Sequence, residues 1–196
     1  MSPEAKKPEP DSRREHLIRL LKDPNEEVRQ TAASSLERLD GMNNLPAILL
    51  RYKKGDKETR LKAIYALGKL GTEECLPALI HSLDHKEEEI QAAAIRMLGE
   101  LKNEKTLPVL IRKLNDPSLT IQTMVAQVLG NFRRRDLARH LTPLLKRENK
   151  YLVMAAMESL GKLNAPEAIN DIIKLLDHSD PVVRKTAAKV LGEFQT

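Results

Sequence analysis

The sequence predicts an all-α protein, an α-solenoid of six two-helix repeats, and three observations carry that prediction. A Leu-Gly pair recurs with its leucine at Leu67, Leu98, Leu129, Leu160 and Leu191, each 31 residues after the last. Other apolar columns keep the same register and fall on one helical face. The apolar content is mostly Leu, Ile, Val and Ala, with 3% aromatic residues and no Trp, which favours helix over strand.

The second helix of each unit is the clearest element. Val28, Thr59, Ile90, Ile121, Leu152 and Val183 form its first column, and Ala32, Ala63, Ala94, Val125, Ala156 and Ala187 its second. The leucines above, with Leu36 in unit one, form the third; Leu39, Leu70, Leu101, Phe132, Leu163 and Phe194 close the set. A further column, Leu17, Ile48, Leu79, Leu110, Leu141 and Ile172, marks a shorter first helix in each unit.

Local punctuation agrees with this division. Pro46, Pro77 and Pro108 are expected in the opening turn of a first helix, where a missing N–H costs little. Asp23-Pro24, Asp116-Pro117 and Asp180-Pro181 are expected to separate first from second helices. Gly41 and Gly71 follow the last apolar residue of a second helix, as C-terminal caps do. Pro143 should kink or shorten the first helix of unit five. Glycine inside a helix costs about 1 kcal/mol against alanine. Its recurrence after the leucine therefore predicts close approach of a neighbouring helix. Each hairpin alone leaves an apolar face uncovered, so the units must stack.

Residues 1–11, with Pro3, Pro8 and Pro10 among Lys and Glu, are expected to form a flexible tail, and 12–196 a single repeat domain. Cys75 is the sole cysteine, which excludes an intrachain disulfide. No apolar run approaches the roughly 18 residues of a membrane span, and the N-terminus lacks the apolar core of a signal peptide. A cytoplasmic location is the expectation. The sequence ends at Thr196, just past Phe194, without an evident polar capping helix. That fits a segment of a longer protein, end-to-end association, or an unrecognised cap.

Asp-Pro-x-x-x-Val-Arg (Asp23 to Arg29), Pro-Val-Val-Arg (Pro181 to Arg184) and Leu-Pro-Ala-Leu-Ile (Leu76 to Ile80) resemble the HEAT-repeat family, in particular the short phycobilisome-lyase HEAT-like repeats. The resemblance implies a right-handed superhelix whose second helices line the concave side. It leaves function open, because members bind different partners and some relatives are bilin lyases. The family's arginine column reads Arg29, Arg60, Gln91, Gln122, Val153, Arg184, so any Asp–Arg ladder between units should be interrupted in the middle.

No catalytic constellation is legible. Cys75 has no histidine placed beside it by the repeat and is expected to be a packing residue. His85 and His178 share one column and His16 and His140 another, but three or four layers separate each pair, too far to share a metal. The glycines are spread one per unit, so no phosphate-binding loop forms. Adjacent carboxylates such as Glu73-Glu74 point apart on a helix. Neither cofactor nor metal is expected, and a binding protein is expected rather than an enzyme.

Two surfaces are candidates. On the side of the second helices that the resemblance makes concave, Lys62, Tyr65, Arg96, Met124, Gln127, Tyr151, Glu158 and Lys189 vary over a constant core, as a surface fitted to a protein partner would. Arg133, Arg134, Arg135, Arg139, Lys146, Arg147 and Lys150 form a basic run opposed only by Asp136 and Glu148. Its net +5 equals the formal charge of the whole chain. The run is the alternative site, for an acidic partner or nucleic acid. The lack of interleaved aromatics argues against single-stranded bases. A lyase-type or repair enzyme on the same scaffold is a third reading, with no residues assigned to it.

Overall fold

A computed structural model describes residues 10–194. The expected tail lies outside them, apart from Pro10 and Asp11, which already belong to the first helix. Among the described residues there are eleven α-helices and no strands.

Units three to six follow the predicted hairpin. Their first helices are α4 (Leu76–Ser82), α6 (Leu107–Lys113), α8 (Ala138–Leu141) and α10 (Ile169–Lys174), each entered through a short 3-10 turn. Their second helices are α5 (Glu88–Leu101), α7 (Leu119–Leu129), α9 (Lys150–Lys162) and α11 (Pro181–Glu193). Pro77 and Pro108 sit in the first turn of α4 and α6, where no N–H is needed. Pro143 has the expected effect: α8 stops at Leu141 and the chain continues as a 3-10 turn, Thr142–Lys146. Side-chain caps start α7, α9 and α11: Ser118 accepts from the Ile121 amide, Asn149 from the Tyr151 and Leu152 amides, and Asp180 from Val182.

The predicted core columns are the core. Leu67, Leu98, Leu129 and Leu160 are fully buried, as are Leu79, Leu110, Leu141 and Ile172. The glycine column marks the closest approach between units. A Cβ on Gly99 would lie 2.5 Å from Val128 Cγ1, and one on Gly130 2.8 Å from Ser159 Cα. On Gly161 it would lie 3.0 Å from Val190 Cγ1, and on Gly68 it would overlap Met97. Gly192, in the last unit, has no described neighbour within 4 Å.

Units one and two depart from the expectation. After α1 (Pro10–Leu20), α2 runs unbroken over Glu26–Lys54 and joins the second helix of unit one to the first helix of unit two, before α3 (Lys57–Leu70). Gly41 is therefore not a cap, and Pro46 lies inside a helix. Gly71 is a cap, with φ of 62°, and Lys102, Arg133 and Asn164 occupy the same column in the same left-handed conformation. Asp40, their counterpart in unit one, stays helical. The cause lies four residues on. Cys75, Thr106, Leu137 and Ala168 anchor the turn into each later first helix by being buried, whereas Asn44 in that column is exposed. An amide there has no partner to go under, so the turn does not dock and the helix continues.

This junction is packed differently. Glu37 stands where the other units have glycine. Leu36, Leu17 and Ile48 are only half-buried. Contact persists at one end, where Gly41 lies against Leu70.

Candidate partner-binding face

With four columns turned into the core, each second helix leaves residues facing away from its own first helix. Across the units these read Ser34, Tyr65, Arg96, Gln127, Glu158 and Lys189, all exposed except the half-buried Glu158. Lys62 is exposed and ion-paired to Glu58 at 2.6 Å. Met124 is half-buried, and Tyr151 is 63% exposed with Lys150 Nζ 5.5 Å from its ring centroid. The proposed residues thus share one side of successive helices. The column containing Lys62 and Met124 is not exposed throughout: Ala93, Ala155 and Thr186 are buried between neighbouring helices. The surface is narrower than the helical wheel suggested.

The basic run is not gathered into one patch. Arg133, Arg134, Arg135 and Arg139 lie at the turn from unit four into unit five, whereas Lys146, Arg147 and Lys150 lie past the far end of that first helix. Several also have partners one repeat away. Arg134 donates to Glu104 at 2.7 Å and Arg135 to Glu167 at 2.9 Å, and with Lys105–Glu73 these pairs form a rung between successive units from three to six along one edge. Lys150 pairs with Asp180 at 2.8 Å on the opposite edge. Arg134 and Arg135 hold the Asp136 and Glu167 carboxyls, respectively, below their ordinary pKa, and Lys150 does the same to Asp180. Arg133 is the left-handed residue that ends its helix. Among the described residues, Lys146 and Arg147 join no ion pair.

The arginine column works within units. Arg29 donates to the Asp23 carbonyl, Gln91 to His85, Gln122 to Asp116, and Arg184 to His178, each six residues back. Glutamine does what arginine does, tying the loop between the two helices to the second helix; only Val153 cannot. Near that loop Lys113 bridges Asp84 at 3.0 Å and Asp116 at 2.9 Å, its side chain 11% exposed.

Cys75 is fully buried, with Thr72 Oγ1 3.4 Å from its sulfur. His85 and His178 have one task in common, each accepting through Nδ1 from the amide two residues on. His81 packs edge-on to Tyr52. Among the described residues no group of three His, Cys, Asp or Glu could hold a metal ion, and no helix is long and apolar enough to cross a membrane.

A family model described as HEAT repeats matches residues 14–90, 76–158 and 138–196. No curated protein matches the sequence. Among solved structures, the complex of CpcE and CpcF of phycocyanin lyase from a Nostoc species is similar, with TM-score 0.54, 23% identity, and coverage of 98% of this chain and 79% of that one. A designed armadillo repeat protein in complex with the peptide (KR)4 gives TM-score 0.54 and 16% identity, over 92% and 98% of the two chains. The Escherichia coli protein YibA gives TM-score 0.61 and 18% identity, over 97% and 77%.

Proposed function

The chain belongs to the HEAT-repeat family, and from that premise we propose that it is a non-enzymatic scaffold holding a protein partner along the inner face of its second helices. One observation carries this reading. The exposed positions Tyr65, Arg96, Gln127 and Lys189 differ in chemistry from unit to unit, over core columns that are apolar everywhere but Thr59. A solenoid holds such positions on a rigid extended support. The designed armadillo protein that holds a (KR)4 peptide is a related architecture put to that use. The resemblance to a phycocyanin lyase complex is the counterpart for an enzyme reading, but no nucleophile, base and orienting group meet among the described residues.

Photo-crosslinkers at Gln127 and Lys189 on this face, and at Arg112 on a first helix, test the proposal. The partner is expected to crosslink at the first two positions and not at Arg112. Its affinity should fall at least tenfold in the Tyr65→Ala, Arg96→Ala double variant. Undiminished binding by that variant overturns the proposal. Nucleic-acid or acidic-partner binding through the basic run is the second reading, favoured by the unpaired Lys146 and Arg147; it predicts affinity for duplex DNA that falls steeply with salt.

A further inference from the structure

The partner-facing side of the second helices changes chemistry halfway along the array. The residue before the first core column reads Glu27, Glu58, Glu89, Thr120, Tyr151, Val182. In the early units these carboxylates are engaged: Lys62 holds Glu58 and Lys57 holds Glu89. After Thr120 the column turns apolar and open to solvent at Tyr151 and Val182. Tyr151 is 63% exposed, Val182 47%, and Leu119, one residue earlier in its own unit, 46%. Single exposed apolar residues need no explanation. Tyr151 and Val182 share a column and Leu119 stands one residue before the equivalent position, so exposed apolar side chains mark the starts of three consecutive helices.

Unpaired positive charge lies beside them. Lys146 and Arg147, with Leu119, Glu148 and Asn149, line an open depression of about 680 Å³ between units four and five. Among the described residues neither joins an ion pair; of the other members of the run with none, Arg133 ends its helix and Arg139 bonds His140. Lys150 pairs with Asp180 and lies 5.5 Å from the centroid of the Tyr151 ring.

We propose that this strip binds an acidic linear peptide in polyproline II conformation, whose apolar side chains three residues apart share one face and lie on Leu119, Tyr151 and Val182, with carboxylates on Lys146 and Arg147. Adjacent packed helices lie about 8–10 Å apart, and one three-residue turn of polyproline II spans about 9 Å, so the peptide keeps step with the repeat. The charge is complementary at the depression, and the apolar row gives the anchors that a nucleic-acid backbone would leave unused. The inference rests on reading the second-helix face as a partner surface and adds the partner's chemistry.

The test pans the full chain against a displayed library of random dodecapeptides and measures the recovered peptides by fluorescence anisotropy. Acidic sequences with apolar residues at i and i+3 are expected. They should bind at least tenfold more weakly to Leu119→Ser, Tyr151→Ser and to Lys146→Glu, Arg147→Glu, all exposed substitutions whose folding is checked by circular dichroism. Recovery of basic or uncharged peptides, no recovery, or full affinity in both variants overturns the proposal. So does a duplex DNA probe that binds more tightly than any peptide and is released by Lys146→Glu, Arg147→Glu. Loss of partner binding in Tyr65→Ala, Arg96→Ala without acidic peptides would leave the scaffold reading standing and remove this one.

Discussion

Gly→Ala substitutions along one column should change sign with the neighbour each glycine faces. At Gly192 the new methyl meets no described atom within 4 Å, so only helix propensity acts, and the variant should gain about 0.5–1 kcal/mol. At Gly161 the methyl meets Val190 Cγ1 at 3.0 Å, a side chain that can give slightly, and gain and strain should nearly cancel. At Gly130 the nearest atoms include Ser159 Cα at 2.8 Å, which is backbone, and Ser159 Oγ is itself tied to the Ala126 carbonyl at 2.7 Å. Neither helix can yield without opening the α7–α9 junction. Overpacking of this kind costs about 1–3 kcal/mol, so after the propensity gain a net loss of about 1–2 kcal/mol is expected. For a protein of this size that lowers Tm by about 2–8 °C, against a rise of about 1–4 °C for Gly192→Ala. Calorimetry and urea unfolding read both. A Gly130→Ala variant as stable as Gly192→Ala would refute helix approach as the reason for the column.

Other substitutions probe single features. Pro46→Ala should stabilise the protein by up to about 3 kcal/mol if α2 is continuous, because it restores an interior helical hydrogen bond; a fall in Tm would mean the chain turns there instead. Asp116→Asn should cost about 1–3 kcal/mol at neutral pH, since Lys113 is left with Asp84 alone. Burial alone would raise the Asp116 carboxyl, but hydrogen bonds from Lys113 and the Ser118 amide outweigh it and hold the pKa below the ordinary value. A depressed pKa stabilises above the unfolded pKa and is lost as pH falls through the folded one. The gap between wild type and Asp116→Asn should therefore shrink in urea titrations below about pH 4; a constant gap would contradict it. Tyr52→Phe, which removes the buried contact with Ser82 Oγ at 3.1 Å, should cost about 1 kcal/mol by the same measurement.

The repeat was legible because burial imposes the same residue types at the same intervals, and Leu98 and Leu129 meet the same surroundings. The fused helix was not, because Gly41 and Pro46 were read as punctuation by type. The informative residue was Asn44, a polar side chain in the column where Cys75, Thr106, Leu137 and Ala168 are buried. The basic run misled for a related reason. In a stacked array the residues that answer Arg134 and Arg135 are Glu104 and Glu167, one unit away, so charge summed along a short window overstates the surface it leaves free. Tyr151 was singled out by its type; what its exposure adds is a row with Leu119 and Val182 that crosses three units.

At about 1.5 Å per residue, the 29 residues of α2 make a rod of about 43 Å that unit one and unit two hold in common. Unit one is thereby mounted on a shaft, and its bearing on the rest of the array is set by the straightness of one helix more than by side chains meeting across a joint. A load applied to α1 travels along that shaft into α3 as torque, and the place where the shaft can give is the stretch from Gly41 to Pro46. A partner that grips both ends of the array would therefore work against a crank with one elbow, while units three to six, locked by their glycine contacts, turn as a block.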